Sequence, residues 1–154
     1  MRSAPRSRPS VTSRCGSPGS IGSTAAGNCE QTVAFAEQLQ AHGCDAIHVS
    51  SGGLHAAQRI PVGPGYQVPL ACAVEAAVHI PVVAVGLIIG FEQAETIVAT
   101  GDADLVAQAR TALYAPRCPW HAAAALGGQV RAAHQYLRCE PQRLRGLFAP
   151  DRRA

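Results

Sequence analysis

Read for its alternation of apolar and polar positions, the chain becomes regular at Glu30. Over residues 30–42, Val33, Ala36 and Leu39 recur at helical spacing, acids come early, and Gly43 stands as a C-terminal stop, so a helix is predicted. Residues 45–51 (Asp-Ala-Ile-His-Val-Ser-Ser) read as a short strand running into Gly52-Gly53. The stretch 54–66 holds Pro61, Gly63, Pro64 and Gly65 and reads as a long loop. A second helix is predicted over 68–79, with Pro69 accommodated in its first turn. Residues 81–86 (Pro-Val-Val-Ala-Val-Gly) form a strand that is apolar on both faces. A third helix covers 92–100 and stops at Gly101, and a third strand follows at 104–107. Residues 111–114 begin another helix that Pro116 and Pro119 interrupt, and a last helix is predicted over 120–126.

Helices and strands thus alternate, which implies parallel strands joined by right-handed crossovers in an α/β fold. Two junctions repeat a phrase, Gly43-Cys44-Asp45-Ala46-Ile47 and Gly101-Asp102-Ala103-Asp104-Leu105, each with a Gly closing a helix just before a buried strand. Three parallel strands leave two edges open and cover their apolar faces poorly. The pattern therefore suggests a portion of a larger sheet or barrel, marginally stable by itself. Residues 1–28 differ from everything after them. They are rich in Ser, Arg, Pro and Gly, lack acids and show no helical spacing, so the expectation is a disordered or out-of-frame segment.

Composition narrows the class. Hydrophobic residues make up 47% and charged residues 15% of the 154, enough apolar material for the core of one ordinary domain. With seven aromatics, that material suits helices on a buried parallel sheet better than a β-sandwich. The net charge of +3 comes from the tails, with Arg2, Arg6, Arg8 and Arg14 at one end and Arg138, Arg143, Arg145, Arg152 and Arg153 at the other. Basicity placed there argues little for nucleic acid. The six cysteines include no Cys-x-x-Cys pair, which points to separate reduced thiols rather than a zinc or redox site. No apolar run reaches membrane-spanning length, and residues 1–28 hold no apolar stretch that could serve as a secretory leader, so a cytoplasmic location is expected.

Candidate chemistry belongs at the C-terminal ends of the strands, where parallel α/β proteins place their sites. Three segments fall there: Ser50-Ser51-Gly52-Gly53, Gly86-Leu87-Ile88 and Ala109-Arg110. Gly86 would let a backbone amide approach an anion closely, and Arg110 would supply a bidentate cation, as in a phosphate site after two consecutive strands. Glycine ends many strands and arginine starts many helices, so this signal by itself favours a structural reading. His48, between Ile47 and Val49, points to the opposite sheet face and reads as a core or rim residue. His55 has no evident carboxylate partner. His42, His79, His121 and His134 read as surface residues of helices. Ser50 and Ser51 lack the surroundings of a nucleophilic serine. Tyr66 either packs beneath its loop or meets a neighbouring subunit.

Several phrases occur together in one order: Ile47-His48-Val49-Ser50-Ser51-Gly52, Pro64-Gly65-Tyr66-Gln67-Val68-Pro69, Ala84-Val85-Gly86-Leu87-Ile88, Ala103-Asp104-Leu105-Val106 and Gln135-Tyr136-Leu137-Arg138. Over roughly residues 30–140 the chain resembles the C-terminal part of the old yellow enzymes of the bacterial ene-reductase type. The resemblance implies a partial (β/α)8 TIM barrel, corresponding to about strands six to eight with their helices. It divides the chain into an N-terminal segment 1–28, a barrel portion 29–138 and a basic tail 139–154. It also implies FMN as cofactor, NAD(P)H as reductant, an activated alkene as substrate and a homo-oligomer as the assembled form. Gly86 would lie near the FMN phosphate, and Arg110 matches the arginine of a Gly-Arg pair that binds the same phosphate. Ala109 stands where that pair has glycine. Arg138 matches an arginine that, in one class of these enzymes, reaches into the neighbouring subunit's active site. The family's histidine pair, tyrosine proton donor and flavin-tuning cysteine belong to the first half of the barrel, so no catalytic residue and no metal ligand is assigned here.

Two readings follow, with a third behind them. The chain is an FMN-binding NAD(P)H-dependent oxidoreductase by descent, lacking the catalytic half, or it is a non-catalytic remnant of a truncated or frameshifted gene. A different sugar-phosphate enzyme on the same fold would use Gly86 and Arg110 alike, but the Pro-Gly-Tyr-Gln and Gln-Tyr-x-Arg phrases speak against it.

Overall fold

The computed structural model of the chain describes residues 11–15, 29–51 and 62–150. Its first part is a parallel sheet of four strands in sequential order: β1 (Val11–Cys15), β2 (Ile47–Ser51), β3 (Val82–Ala84) and β4 (Leu105–Val106). Helices α1 (Cys29–Ala41), α2 (Val68–Glu75) and α3 (Phe91–Ala99) connect them, so the fold is mixed α/β with parallel strands. In register, Val11 faces Ile47, Ile47 faces Val82, and Val83 faces Leu105.

The alternation along each strand decides which face is filled. Ile47 and Val49 on β2 and Val82 and Ala84 on β3 are wholly buried, while His48, Ser50 and Val83 between them are only partly covered. The buried set packs with Ala36 of α1, Ala71 and Val74 of α2, Ile97 of α3, and Val78, Ile88 and Ala103. His48, Val83 and Leu105 share the other face, where Leu105 is 52% exposed. Burial of four strand residues this complete supplies the sheet's main stabilisation, at roughly 1.5–3 kcal/mol for each fully enclosed Ile or Val side chain.

The repeated phrase in the sequence becomes a repeated closure. At the end of α1, the N–H of Cys44 donates to Leu39 O and that of Gly43 to Gln40 O. At the end of α3, the N–H of Asp102 donates to Ile97 O and that of Gly101 to Val98 O. Both are Schellman closures, in which glycine turns the chain and orphan helix carbonyls are satisfied before the next strand starts.

Two expectations change. Val11–Cys15 is a strand paired along its length with β2, an element the Ser/Arg-rich pattern did not predict. The second helix ends at Glu75, not His79, because the N–H groups of both Ala77 and Val78 converge on Val74 O and tighten the last turn.

The chain divides into two compact units, one of residues up to Ile89 with Gln93–Gln108, the other of Gly90–Glu92 with residues from Ala109 onward. The boundary falls inside the 29–138 stretch, and the second unit takes in residues assigned above to a basic tail. This second unit holds α4 (Ala109–Tyr114), α5 (Cys118–Leu126), and a parallel pair, β5 (Val130–Ala132) with β6 (Phe148–Pro150). Two 3-10 segments, His134–Cys139 and Gln142–Leu144, lie between those strands. Its core is Ala132, Leu147 and Phe148, against which Trp120, Tyr136 and Leu137 pack. The Arg117 guanidinium carbon stands 4.5 Å from the centre of the Trp120 ring and 4.4 Å from that of Tyr136. Glu140 pins β6 by accepting from the N–H groups of Gly146 and Phe148, both at 2.9 Å.

Candidate functional site

The C-terminal ends of β2 and β3 bring three connections together: Ser51, the loop Gly63–Gln67 that enters α2, and the turn that leaves β3 at Gly86. The turn is unusual in its backbone. Gly86 has φ +115°, a region closed to most side chains, and Leu87 follows at φ +53°, in the left-handed region that non-glycine residues seldom occupy. Gly86 O accepts from Gly65 N–H at 2.8 Å, which ties the turn to the loop before α2. A methyl group built on Gly86 would lie 3.0 Å from Cβ and Cγ of Gln67 and 3.2 Å from its backbone nitrogen. Glycine is therefore required twice here, by conformation and by space.

Three glutamines hold this region. Gln67 is 3% exposed, and its Nε2 donates to Ser51 O at 2.8 Å and to Tyr66 Oη at 2.7 Å. Its Oε1 is enclosed and accepts from nothing. Gln108, after β4, donates from Nε2 to Ile88 O at 2.9 Å, and Gln93 Oε1 accepts from Ile89 N–H at 3.4 Å. Among the described residues, the backbone N–H groups of Gly86, Leu87 and Ile88 donate to no carbonyl or side chain. Unpaired amides in a turn at the C-terminal end of a parallel sheet are donors of the kind that bind an anion.

Sequence reasoning placed Gly86 here and missed the glutamines around it. Neutral amides carry no motif of their own; the only available signal was the Pro-Gly-Tyr-Gln phrase, which contains Gln67. Ala109 and Arg110 open α4, a six-residue helix of the second unit, and both are exposed. Gly86 belongs to the first unit. Arg138 lies exposed in the 3-10 segment His134–Cys139 of the second unit. His48 sits on the partly covered sheet face with its Nε2 enclosed and unpartnered. His42 Nδ1 is 2.7 Å from Gln38 O, a local helix contact. Gly52, Gly53 and His55 lie outside the described residues.

The opposite end of the strands carries the titratable groups. Asp104 Oδ2 accepts from Val82 N–H at 2.9 Å, and the Glu75 carboxyl, whose Oε2 is enclosed without a partner, feels the Asp104 charge. Loss of water raises the Glu75 carboxyl above its ordinary range, and the neighbouring Asp104 charge pushes it the same way. Thr100 Oγ1 donates to Asp102 Oδ2 at 2.7 Å. That bond, then one from the Cys72 thiol, holds Asp102 low, while Asp102 in turn raises the thiol. Among the described residues no group of three His, Cys, Asp or Glu side chains could hold a metal ion, and no described helix is long and apolar enough to cross a membrane.

No family model matches the chain. An NADPH dehydrogenase of a Geobacillus species is 44% identical to it over 106 residues, covering 69% of this chain and 31% of that protein. An NADPH dehydrogenase of Listeria innocua is 40% identical over 109 residues, covering 71% and 32%. The chain spans about a third of the length of the curated relatives it matches. Among solved structures, a dihydropteroate synthase of Xanthomonas albilineans aligns with a TM-score of 0.49 at 20% identity, over 83% of this chain and 48% of that one. The parallel strand order rests on this chain's own pairing.

Proposed function

We propose that the chain is the part of an NADPH dehydrogenase of the old yellow enzyme type that holds the phosphate of FMN, given its homology to those enzymes over 69% of its residues. On this reading β2, β3 and β4 stand for the sixth, seventh and eighth strands of a (β/α)8 barrel. The observation that carries it is the Gly86 turn, whose three unpaired amides and missing side chain suit a phosphate group. When bound, FMN supplies the hydride-transfer chemistry between NADPH and an activated alkene. The contribution assigned here to Gly86–Leu87–Ile88 is binding.

Arg110 and Ala109 enter this reading on their match to the family's Gly-Arg pair. A methyl group at Ala109, where the pair has glycine, weakens the backbone's approach to phosphate. Arg138, exposed as it is, enters as the inter-subunit arginine of a homo-oligomer on the same ground.

Absorbance between about 350 and 500 nm and an NADPH oxidation assay test this together. The chain is expected to purify colourless, to bind added FMN with a dissociation constant on the order of 10–100 µM, as a phosphate subsite alone would give, and to oxidise no NADPH. Absence of FMN binding at millimolar concentration would favour the second reading, a non-catalytic remnant. Steady NADPH oxidation would overturn both.

A further inference from the structure

Gln67 poses a question that its neighbours do not. It is 3% exposed, yet its amide oxygen is enclosed and has no donor. An unmatched buried acceptor is unfavourable, and an apolar side chain of the same length would remove the penalty. The compensating interactions are all on the nitrogen side. Nε2 bridges Ser51 O, at the end of β2, and the Tyr66 hydroxyl. The stem between that anchor and the backbone is the surface against which Gly86 closes, since a Cβ on Gly86 would meet Gln67 Cβ and Cγ at 3.0 Å. The carbonyl of Gly86 is held in turn by Gly65, two residues before Gln67.

We propose that Gln67 is a positioning residue for the anion turn: its amide nitrogen anchors the side chain at the end of β2, and the anchored stem fixes Gly86–Leu87–Ile88 with their N–H groups unpaired. This rests on the phosphate reading given above. The ligand touches the turn, and Gln67 acts through it. Folding bears the unmatched oxygen, and binding gains a rigid turn, so removing the amide should weaken binding of a phosphate-bearing ligand more than that of one without phosphate.

The test compares Gln67→Met with the unaltered chain by flavin titration and thermal melting, using two probes, FMN and riboflavin, which lacks the phosphate. The variant keeps the buried volume and sheds the orphan oxygen but gives up both Nε2 bonds, so a modest fall in melting temperature is expected, and the ratio of FMN to riboflavin affinity carries the test. FMN affinity should fall ~10-fold, within what losing the two Nε2 bonds can give, with riboflavin affinity unchanged. FMN affinity unaltered in Gln67→Met would overturn the positioning role and leave the phosphate reading standing. Equal losses for both flavins would mark Gln67 as merely structural and overturn it as well. If the unaltered chain binds FMN no better than riboflavin, or binds neither, the phosphate reading itself falls and the role assigned to Gln67 falls with it.

Discussion

At the scale of single residues, Gly86 is where conformation and space coincide. Its φ of +115° excludes a β-carbon on conformational grounds, and Gln67 occupies the volume that carbon would need. Gly86→Ala is expected to cost about 1–3 kcal/mol in stability, the range for a side chain forced into a forbidden backbone region. It should also abolish FMN binding in the same titration, and denaturant melts would give the first quantity. Full stability in that variant would show that the turn can relax. A second residue-scale case is Arg117, whose guanidinium stands over both Trp120 and Tyr136. Each exposed cation–π contact is worth about 0.5–1 kcal/mol. Arg117→Ala should therefore weaken the second unit by roughly 1–2 kcal/mol, read by the fluorescence of Trp120, the sole tryptophan. An unchanged melt would sink the assignment.

At the scale of elements, most boundaries were legible because local chemistry sets them. Gly43 and Gly101 stop α1 and α3 where the sequence put the stops, and the 3.6-residue spacing of Val33, Ala36 and Leu39 is enough to mark α1. What could not be read depends on partners distant in sequence. Gln67, Gln93 and Gln108 acquire their roles only when Ser51, Ile89 and Ile88 come within reach. Likewise β1, and the short pair β5 and β6, are defined by pairing rather than by any run of strand-forming residues. Between α2 and β4, the Glu75–Asp104 contact gives a pH dependence of definite sign. The folded state raises the Glu75 pKa above its ordinary 4.5. That contribution is therefore complete below about pH 4.5 and is lost as the pH rises through the folded value. Asp102, held low, acts in the opposite sense and only at more acid pH, while Cys72, raised from 9.0, loses its contribution only in alkali. Between pH 5 and 8 the unaltered chain should lose stability that Glu75→Gln retains, measured by urea unfolding at the two pH values. Parallel curves for the two proteins would refute the contact.

At the scale of the whole molecule, the helices cover one face of the sheet, and the face carrying His48, Val83 and Leu105 is less well covered. Open edges and an exposed apolar strand residue favour association between copies. Leu105→Lys should accordingly shift sedimentation toward the monomer at concentrations of about 100 µM, and an unaltered profile would argue that the face does not attract. The sequential order of β1, β2, β3 and β4 has a further consequence, for synthesis rather than for stability. Each strand pairs with the one made just before it, so no strand must wait for a partner encoded far downstream. Such a sheet can grow one strand at a time as the chain leaves the ribosome, every arrival adding to a template already formed.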